Sequence, residues 1–235
     1  HPMAKLVAMA GCDLAAAHPS LSPNPGIAND LSVRRYATLE EMLADPRVEL
    51  VSLCSPRRAG QAADAIRSLR AGKHVYAEKP AALSEADLDE ILAAAKQTGR
   101  QFHEMAGTVF KQPYFAARQF VRTGKLGDIV QVFAQKSYQP RHGERPQDEA
   151  VDGGLILQCG IHAFRMIEHI TGLRVRAIRA TETSHGNPVQ GGGLRTAASM
   201  IAQLENGAVG SIVANYLCPP TFKHWNNEQF RVFGT

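Results

Sequence analysis

Short apolar runs alternate with longer amphipathic segments over the first part of the chain. Apolar runs of this length, closed by glycine, proline or charged residues, predict buried strands. They cover residues 5–10, 50–53, 74–77 and 101–105. Between them, residues 61–70 have apolar side chains at helical spacing ahead of Gly72, and a second helix is predicted from Ser84 to a stop at Gly99. This order predicts parallel β-α-β units, whose strands end at one edge of the sheet.

After the fourth predicted strand the pattern changes to alternating apolar and polar positions. Such alternation predicts half-buried strands, and they cover residues 129–138, 175–183, 195–204, 209–216 and 230–233. Helices are predicted at 114–122 and 155–170, with a polar loop at 139–152. Asn206-Gly207 between two alternating runs is a strong hairpin signal. The second half therefore predicts an α+β unit with an open, mostly antiparallel sheet.

Length and composition support two globular domains, which we place at residues 1–106 and 107–235. The formal net charge is +4 and the basic residues are scattered, so nucleic-acid binding is not expected. The four cysteines show no metal-ligand spacing, which predicts a reduced, cytoplasmic chain without a metal site. The longest uncharged stretch, residues 206–222, contains glycines and prolines and predicts no membrane span.

The end of the third predicted strand carries a candidate site. Glu78, Lys79 and Pro80 follow the apolar run there, and proline favours an extended conformation for Lys79. A lysine at this edge can donate to a substrate oxygen, and partial burial would lower its pKa enough for proton exchange. The alternative interpretation is a solvent-exposed charge pair before a turn.

A second candidate lies at the start of the predicted helix 155–170. Gln158 and His162 are four residues apart, so they share one helical face. A neutral imidazole there can exchange a proton near neutral pH. The alternative is a core histidine that is hydrogen-bonded to the backbone.

Several segments resemble the glucose-fructose oxidoreductase, inositol dehydrogenase and rhizopine catabolism (Gfo/Idh/MocA) family. Residues 72–80 are similar to its A-G-K-H-V-x-x-E-K-P strand, and residues 153–162 are similar to its helix with a D-x-x-x-H pair. Further similar segments are residues 36–46 and 124–129. The resemblance runs from near Lys5 to Thr235.

The resemblance implies a Rossmann-like domain that binds NAD or NADP and a second domain that holds a sugar, polyol or related alcohol. The second domain of this family often mediates oligomerisation, and the alternating strands at residues 195–216 predict an exposed sheet face that a partner would cover. We therefore expect a homo-oligomer, a dimer or tetramer. Lys79 would touch the substrate hydroxyl and the nicotinamide ribose, and His162 would exchange the proton as the hydride moves. The other cofactor-binding residues that it implies are Gly11, Asp13, Cys54, Ser55, Pro56, Glu78 and Pro80.

The chain also departs from the family pattern. Gln158 stands where the family has an aspartate four residues before the histidine, and Arg165 stands where an aspartate often follows it. Gln158 can hydrogen-bond a hydroxyl but cannot share a proton. We expect Gln158 and Arg165 to contact the substrate, and an anionic substrate would find charge partners in Arg57, Arg58 or Arg165.

No G-x-G-x-x-G motif occurs in the chain, although a dinucleotide fold uses such a turn to hold the pyrophosphate. We expect a piece of a longer enzyme; the alternative is a shorter protein without a phosphate cradle. The expected activity is that of an NAD(P)-dependent oxidoreductase. The two alternatives are an NAD-assisted glycosidase and a non-catalytic nucleotide- or sugar-binding relative.

Overall fold

Parallel strands run through the first half of the chain in two separate sheets. The computed structural model describes residues 4–11, 32–141, 143–222 and 227–235. One sheet pairs β1 with β2, and the other has the order β3-β4-β5. These strands are β1 (Ala8–Ala10), β2 (Arg34–Tyr36), β3 (Leu50–Leu53), β4 (His74–Ala77) and β5 (Phe102–Glu104). The parallel arrangement is confirmed. β2 was missed because two of its three residues are exposed arginines.

Helices cover the β3-β4-β5 sheet and build its core. α2 (Gln61–Arg70) and α3 (Glu85–Thr98) pack against these three strands, whereas α1 (Leu39–Leu43) contacts β1 and β2. The predicted stop of α3 is observed, because Gly99 adopts the left-handed conformation with φ +64°. Leu69 of α2 and Ile91 of α3 are fully buried with Val75 of β4. This packing fixes the position of β4 and thereby the starting point of the residues that follow β4 in the chain.

The second half forms a five-stranded sheet in the order β10-β6-β9-β8-β7. The strands are β6 (Ile129–Ser137), β7 (Val175–Thr183), β8 (Ala197–Leu204), β9 (Val209–Asn215) and β10 (Asn227–Gly234). The predicted hairpin is confirmed, with Gly207 at φ +90° between β8 and β9. The sheet is mixed because β6 and β9 pair in parallel, whereas its other pairs are antiparallel. After β6 the chain crosses to the far edge before it returns as β9.

Helices pack on one face of this sheet. This layer consists of α4 (Tyr114–Arg122) and α6 (Ile161–Thr171), whereas the short α5 (Glu149–Asp152) lies against the turn at Arg58–Gly60. Two expectations are corrected: α5 lies within the predicted loop, and the predicted helix 155–170 contains a π-helical turn at Ile156–Gly160 before α6. Met166 and Ile167 of α6 are fully buried against the sheet core. Among the described residues, no helix is long and apolar enough to cross a membrane.

Candidate active site

Lys79 lies just beyond the carboxyl end of β4, where it reaches the second half of the chain. Its Nζ donates to the backbone carbonyl of Gln158 at 2.9 Å. The side chain is 11% exposed, and the Glu78 carboxylate lies 3.9 Å from Nζ. Burial lowers the pKa of Lys79 to about 8, because the charged ammonium loses hydration. The structure therefore excludes the solvent-exposed charge pair for this lysine.

Gln61 ties the carboxyl ends of β3 and β4 together. Its Oε1 accepts from the Ser55 amide at 3.2 Å, and its Nε2 donates to the carbonyls of Glu78 and Pro80. The side chain is completely buried. Because these carbonyls flank Lys79 in the sequence, Gln61 positions the lysine without touching it.

Replacing Gln61 by leucine leaves one buried amide and two buried carbonyls without this partner. We expect the free energy of unfolding to fall by about 3 kcal/mol, since an unsatisfied buried polar group costs roughly 1–3 kcal/mol. Urea denaturation measures this change. Gln97→Leu, at an exposed position of α3, is the matched control and should change stability by less than about 0.5 kcal/mol. Equal effects of the two substitutions would contradict the role of Gln61.

His162 forms a pair with Tyr138, which follows β6. The His162 Nε2 and the Tyr138 Oη share a hydrogen bond of 2.9 Å, and the two rings meet edge to face. His162 is 7% exposed. Burial, followed by the charges of Lys136 and Lys79, lowers the pKa of His162 to about 3, so the imidazole is neutral throughout the neutral range.

Two lysine ammonium groups lie close to the Tyr138 ring. The Nζ of Lys136 lies 5.0 Å from the ring centroid and that of Lys79 lies 5.8 Å from it. Lys136 is 3% exposed and forms an ion pair with Glu228 of β10, which also accepts a hydrogen bond from the hydroxyl of Tyr114. Burial raises the pKa of Tyr138, so its hydroxyl stays protonated. The Tyr138 hydroxyl is therefore a hydrogen-bonding group in a positively charged surrounding.

Gly153 allows the two halves to approach each other closely beside Lys79. A Cβ atom at Gly153 would lie 2.6 Å from Pro80 Cγ, and its φ of +96° also disfavours other residues. Nearby, Arg57 forms an ion pair of 2.6 Å with Asp148, which caps α5. Both contacts join the loops after β3 and β4 to the second half.

A groove lies between β1 and β3, which are not hydrogen-bonded to each other. It has a volume of about 620 Å³, and Gly11, Cys54, Ser55 and Pro56 belong to its lining. Ser55 is buried and donates through Oγ to Asp64 at 2.6 Å, whereas Cys54 and Pro56 are exposed. The structure therefore brings four of the predicted cofactor-binding residues to one groove. The remaining prediction on this part of the chain, Asp13, lies outside the described residues.

The arginines expected to meet a substrate charge are placed elsewhere. Arg58 donates to the carbonyls of Ser55 and Lys79, so its guanidinium supports the strand ends. Arg165 is exposed on α6. Burial, followed by the charges of Arg118 and Arg165, lowers the pKa of His169, whereas the charges that lower the pKa of His162 are those of Lys136 and Lys79. The structure does not bring Arg165 to Lys79. Gln158, in contrast, lies next to Lys79. The Oε1 of Gln158 is buried without a hydrogen-bond partner among the described residues.

Sequence reasoning missed several polar residues around this site. They are Gln61, Lys136, Tyr138, Arg145, Tyr216 and Glu228. One signal was available: in β6 the buried positions Val132 and Ala134 are followed at the same spacing by Lys136, a charge on the apolar face. The other residues come from distant segments and carried no local signal.

The fold and the site together define a Rossmann-like unit of parallel strands joined to a second unit built on a mixed sheet. Its parallel strands end at a groove, and a buried lysine at the same edge faces a second, sheet-containing unit. The chain belongs to the Gfo/Idh/MocA family. Residues 3–105 match the oxidoreductase family's NAD-binding Rossmann fold, and residues 114–235 match the GFO/IDH/MocA C-terminal domain. The resemblance seen in the sequence is confirmed.

Individual relatives agree with this assignment. The chain is 30% identical to trans-1,2-dihydrobenzene-1,2-diol dehydrogenase of Bos taurus over 77% of this chain and 53% of that protein. It is 35% identical to dTDP-3,4-didehydro-2,6-dideoxy-alpha-D-glucose 3-reductase of Streptomyces violaceoruber over 54% of this chain and 39% of that protein. The chain therefore spans about half the length of these curated relatives or less.

A solved structure shows the same fold. Scyllo-inositol dehydrogenase from Lactobacillus casei, with bound NAD(H) and scyllo-inositol, superposes with a TM-score of 0.81 at 23% identity. The similarity covers 98% of this chain and 66% of that one.

Proposed function

We propose that this chain carries the reaction site of an NAD-dependent oxidoreductase that moves a hydride between the nicotinamide and a sugar, polyol or related alcohol. The observation that carries the proposal is the position of Lys79, buried beyond β4 and next to the Tyr138–His162 pair. The relatives named above are dehydrogenases and a reductase for a cyclic diol, a deoxysugar nucleotide and an inositol. Their names support an alcohol or ketone carbon as the reacting group.

Oxidation of an alcohol removes a hydride from carbon and a proton from the hydroxyl. NAD supplies the hydride acceptor when it is bound, and the protein must supply the group that takes the proton. Lys79 has a pKa of about 8 and so has both protonation states available near neutral pH. His162 stays neutral and holds the Tyr138 hydroxyl. We therefore assign the proton exchange to Lys79 and the orientation of the substrate hydroxyl to Tyr138 and His162.

The groove residues Gly11, Cys54, Ser55 and Pro56 would hold the nucleotide, with Glu78 and Pro80 next to its reactive end. Their fit is good at the strand ends, where exposed Cys54 and Pro56 form an accessible wall. The described residues include no glycine-rich turn to hold the pyrophosphate, so these contacts account for one part of a dinucleotide site.

We also propose a homo-oligomer, a dimer or tetramer, and a cytoplasmic role in carbohydrate metabolism. The outward face of the five-stranded sheet supports the oligomer, because Ile201, Val209 and Phe233 are about half exposed there. We keep the domain boundary at residues 106 and 107, between the two separate cores. Light scattering at micromolar concentration tests the oligomer, and a monomer would contradict it.

Net reduction of the cofactor tests the proposed function. Calorimetry with NADH first measures cofactor binding by the purified chain, after which NAD⁺ is supplied with scyllo-inositol, a cyclic trans-diol or neutral sugars. We expect NADH to accumulate with at least one alcohol. Release of sugar from a glycoside without net NADH would instead indicate the glycosidase, and cofactor binding without turnover would indicate the non-catalytic relative.

A further inference from the structure

The guanidinium of Arg145 lies beside the reaction site and has no carboxylate partner among the described residues. It lies in the loop between β6 and α5, and its guanidinium carbon lies 3.5 Å from the centroid of the Tyr216 ring and 5.9 Å from that of Tyr138. Nη2 donates to the Gln139 carbonyl at 3.1 Å. Nε is buried and has no hydrogen-bond partner in the described part of the chain. Stacking on Tyr216 therefore fixes the plane of the guanidinium while a donor at its edge stays unused.

The charge of Arg145 is also less compensated than that of its neighbours. Lys136 forms an ion pair with Glu228, and Glu78 lies 3.9 Å from Lys79. Across the described ranges, no carboxylate lies within ion-pair distance of Arg145. Burial raises the pKa of Tyr216, and the charges of Asp152 and Glu149 raise it further, yet neither carboxylate forms an ion pair with Arg145 among the described contacts.

Resting on the proposed function, we propose that Arg145 binds a carboxylate of the substrate, so that the preferred substrates are sugar acids. A fixed, planar guanidinium is suited to a carboxylate, to which it can donate from Nε and from the second hydrogen of Nη2. Lys79 and Arg145 approach the same Tyr138 ring to 5.8 and 5.9 Å. In this proposal, a six-carbon sugar acid would place a hydroxyl at Lys79 and its carboxylate at Arg145, on two groups that lie around the same tyrosine ring. Gln158 Oε1, which is buried and has no hydrogen-bond partner within the described ranges, would accept from another hydroxyl.

The test compares glucuronate with glucose, which lacks the carboxylate. Calorimetric titrations of the NADH-loaded chain should show glucuronate binding at least about 10-fold more tightly than glucose. Arg145→Met keeps an unbranched side chain over Tyr216 but removes the charge. It should weaken glucuronate binding by about 10- to 100-fold and leave glucose binding unchanged, since hydrogen bonds to charged groups have this strength. Arg141→Ala, in the same loop, is the control and should retain wild-type affinity for glucuronate.

The methyl ester of glucuronate provides a second measurement that needs no variant. If Arg145→Met fails to fold, the wild-type chain should still bind the neutral ester about 10-fold or more weakly than the acid. Equal affinity for acid and ester, no binding of glucuronate, or unchanged glucuronate binding by folded Arg145→Met would each overturn the assignment. Tight binding of glucuronate without NADH formation from any alcohol would overturn the proposed function and leave the role of Arg145 standing.

Discussion

Replacing Lys79 by methionine should lower kcat/KM for alcohol oxidation by about 10²- to 10⁴-fold, the usual contribution of a positioned proton-exchanging group. The buried lysine is the described group beside Tyr138 and His162 whose pKa lies near 8. Methionine fills a similar volume and removes a buried ammonium that costs hydration energy, which offsets the lost hydrogen bond to the Gln158 carbonyl, so stability should change little. Steady-state kinetics and thermal unfolding measure the two effects separately.

The pH dependence of kcat/KM should have opposite signs in the two reaction directions. In the oxidation direction the neutral amine accepts the hydroxyl proton, so wild-type kcat/KM should rise with pH through about 8. In the reduction direction the ammonium donates the proton, so kcat/KM should fall over the same range. Lys96→Met, at an exposed position of α3, should show the wild-type profile. A transition near pH 8 that persists in Lys79→Met would contradict the assignment.

Replacing His162 by alanine should lower kcat by about 10- to 100-fold, which corresponds to the loss of one well-placed hydrogen bond in a site that excludes water. The alanine variant leaves the buried Tyr138 hydroxyl without its imidazole partner. Since burial lowers the pKa of His162 to about 3, the imidazole stays neutral between pH 5 and 9. The transition near pH 8 should therefore remain in His162→Ala, with a lower plateau.

Two further variants distinguish a role of His162 in orienting the substrate hydroxyl from a role of His162 in proton exchange. His162→Gln can still share a hydrogen bond with Tyr138 and should recover part of the lost rate, although an amide cannot exchange a proton in this range. His162→Ala combined with Tyr138→Phe should cost less than the two single effects together, because both substitutions remove one interaction. A transition near pH 6.5 in the wild-type chain that disappears in His162→Gln would show that the histidine itself exchanges the proton.

The positions of most helices and strands followed from local patterns in the sequence. Apolar spacing indicated α2 and α3, and Gly99 ended α3 as expected because glycine adopts a positive φ without strain. Asn206-Gly207 indicated the β8–β9 hairpin for the same reason. β2 and α5 were missed, since such short segments depend on tertiary contacts more than on their own preferences.

The sequence by itself determined the fold class, and through its family resemblance it pointed to Lys79 and His162 as the centre of the site. Only the tertiary structure decided their environment. It brought the Tyr138 hydroxyl to His162 and the Gln158 carbonyl to Lys79 as hydrogen-bond partners, and it stacked Arg145 on the Tyr216 ring. It also turned Arg58 into a support for the strand ends and left Arg165 exposed. The physical reason is that burial and charge at a residue depend on segments far away in the chain. Hydration and partner charges set the pKa of a side chain, and neither can be read from its immediate neighbours in the sequence.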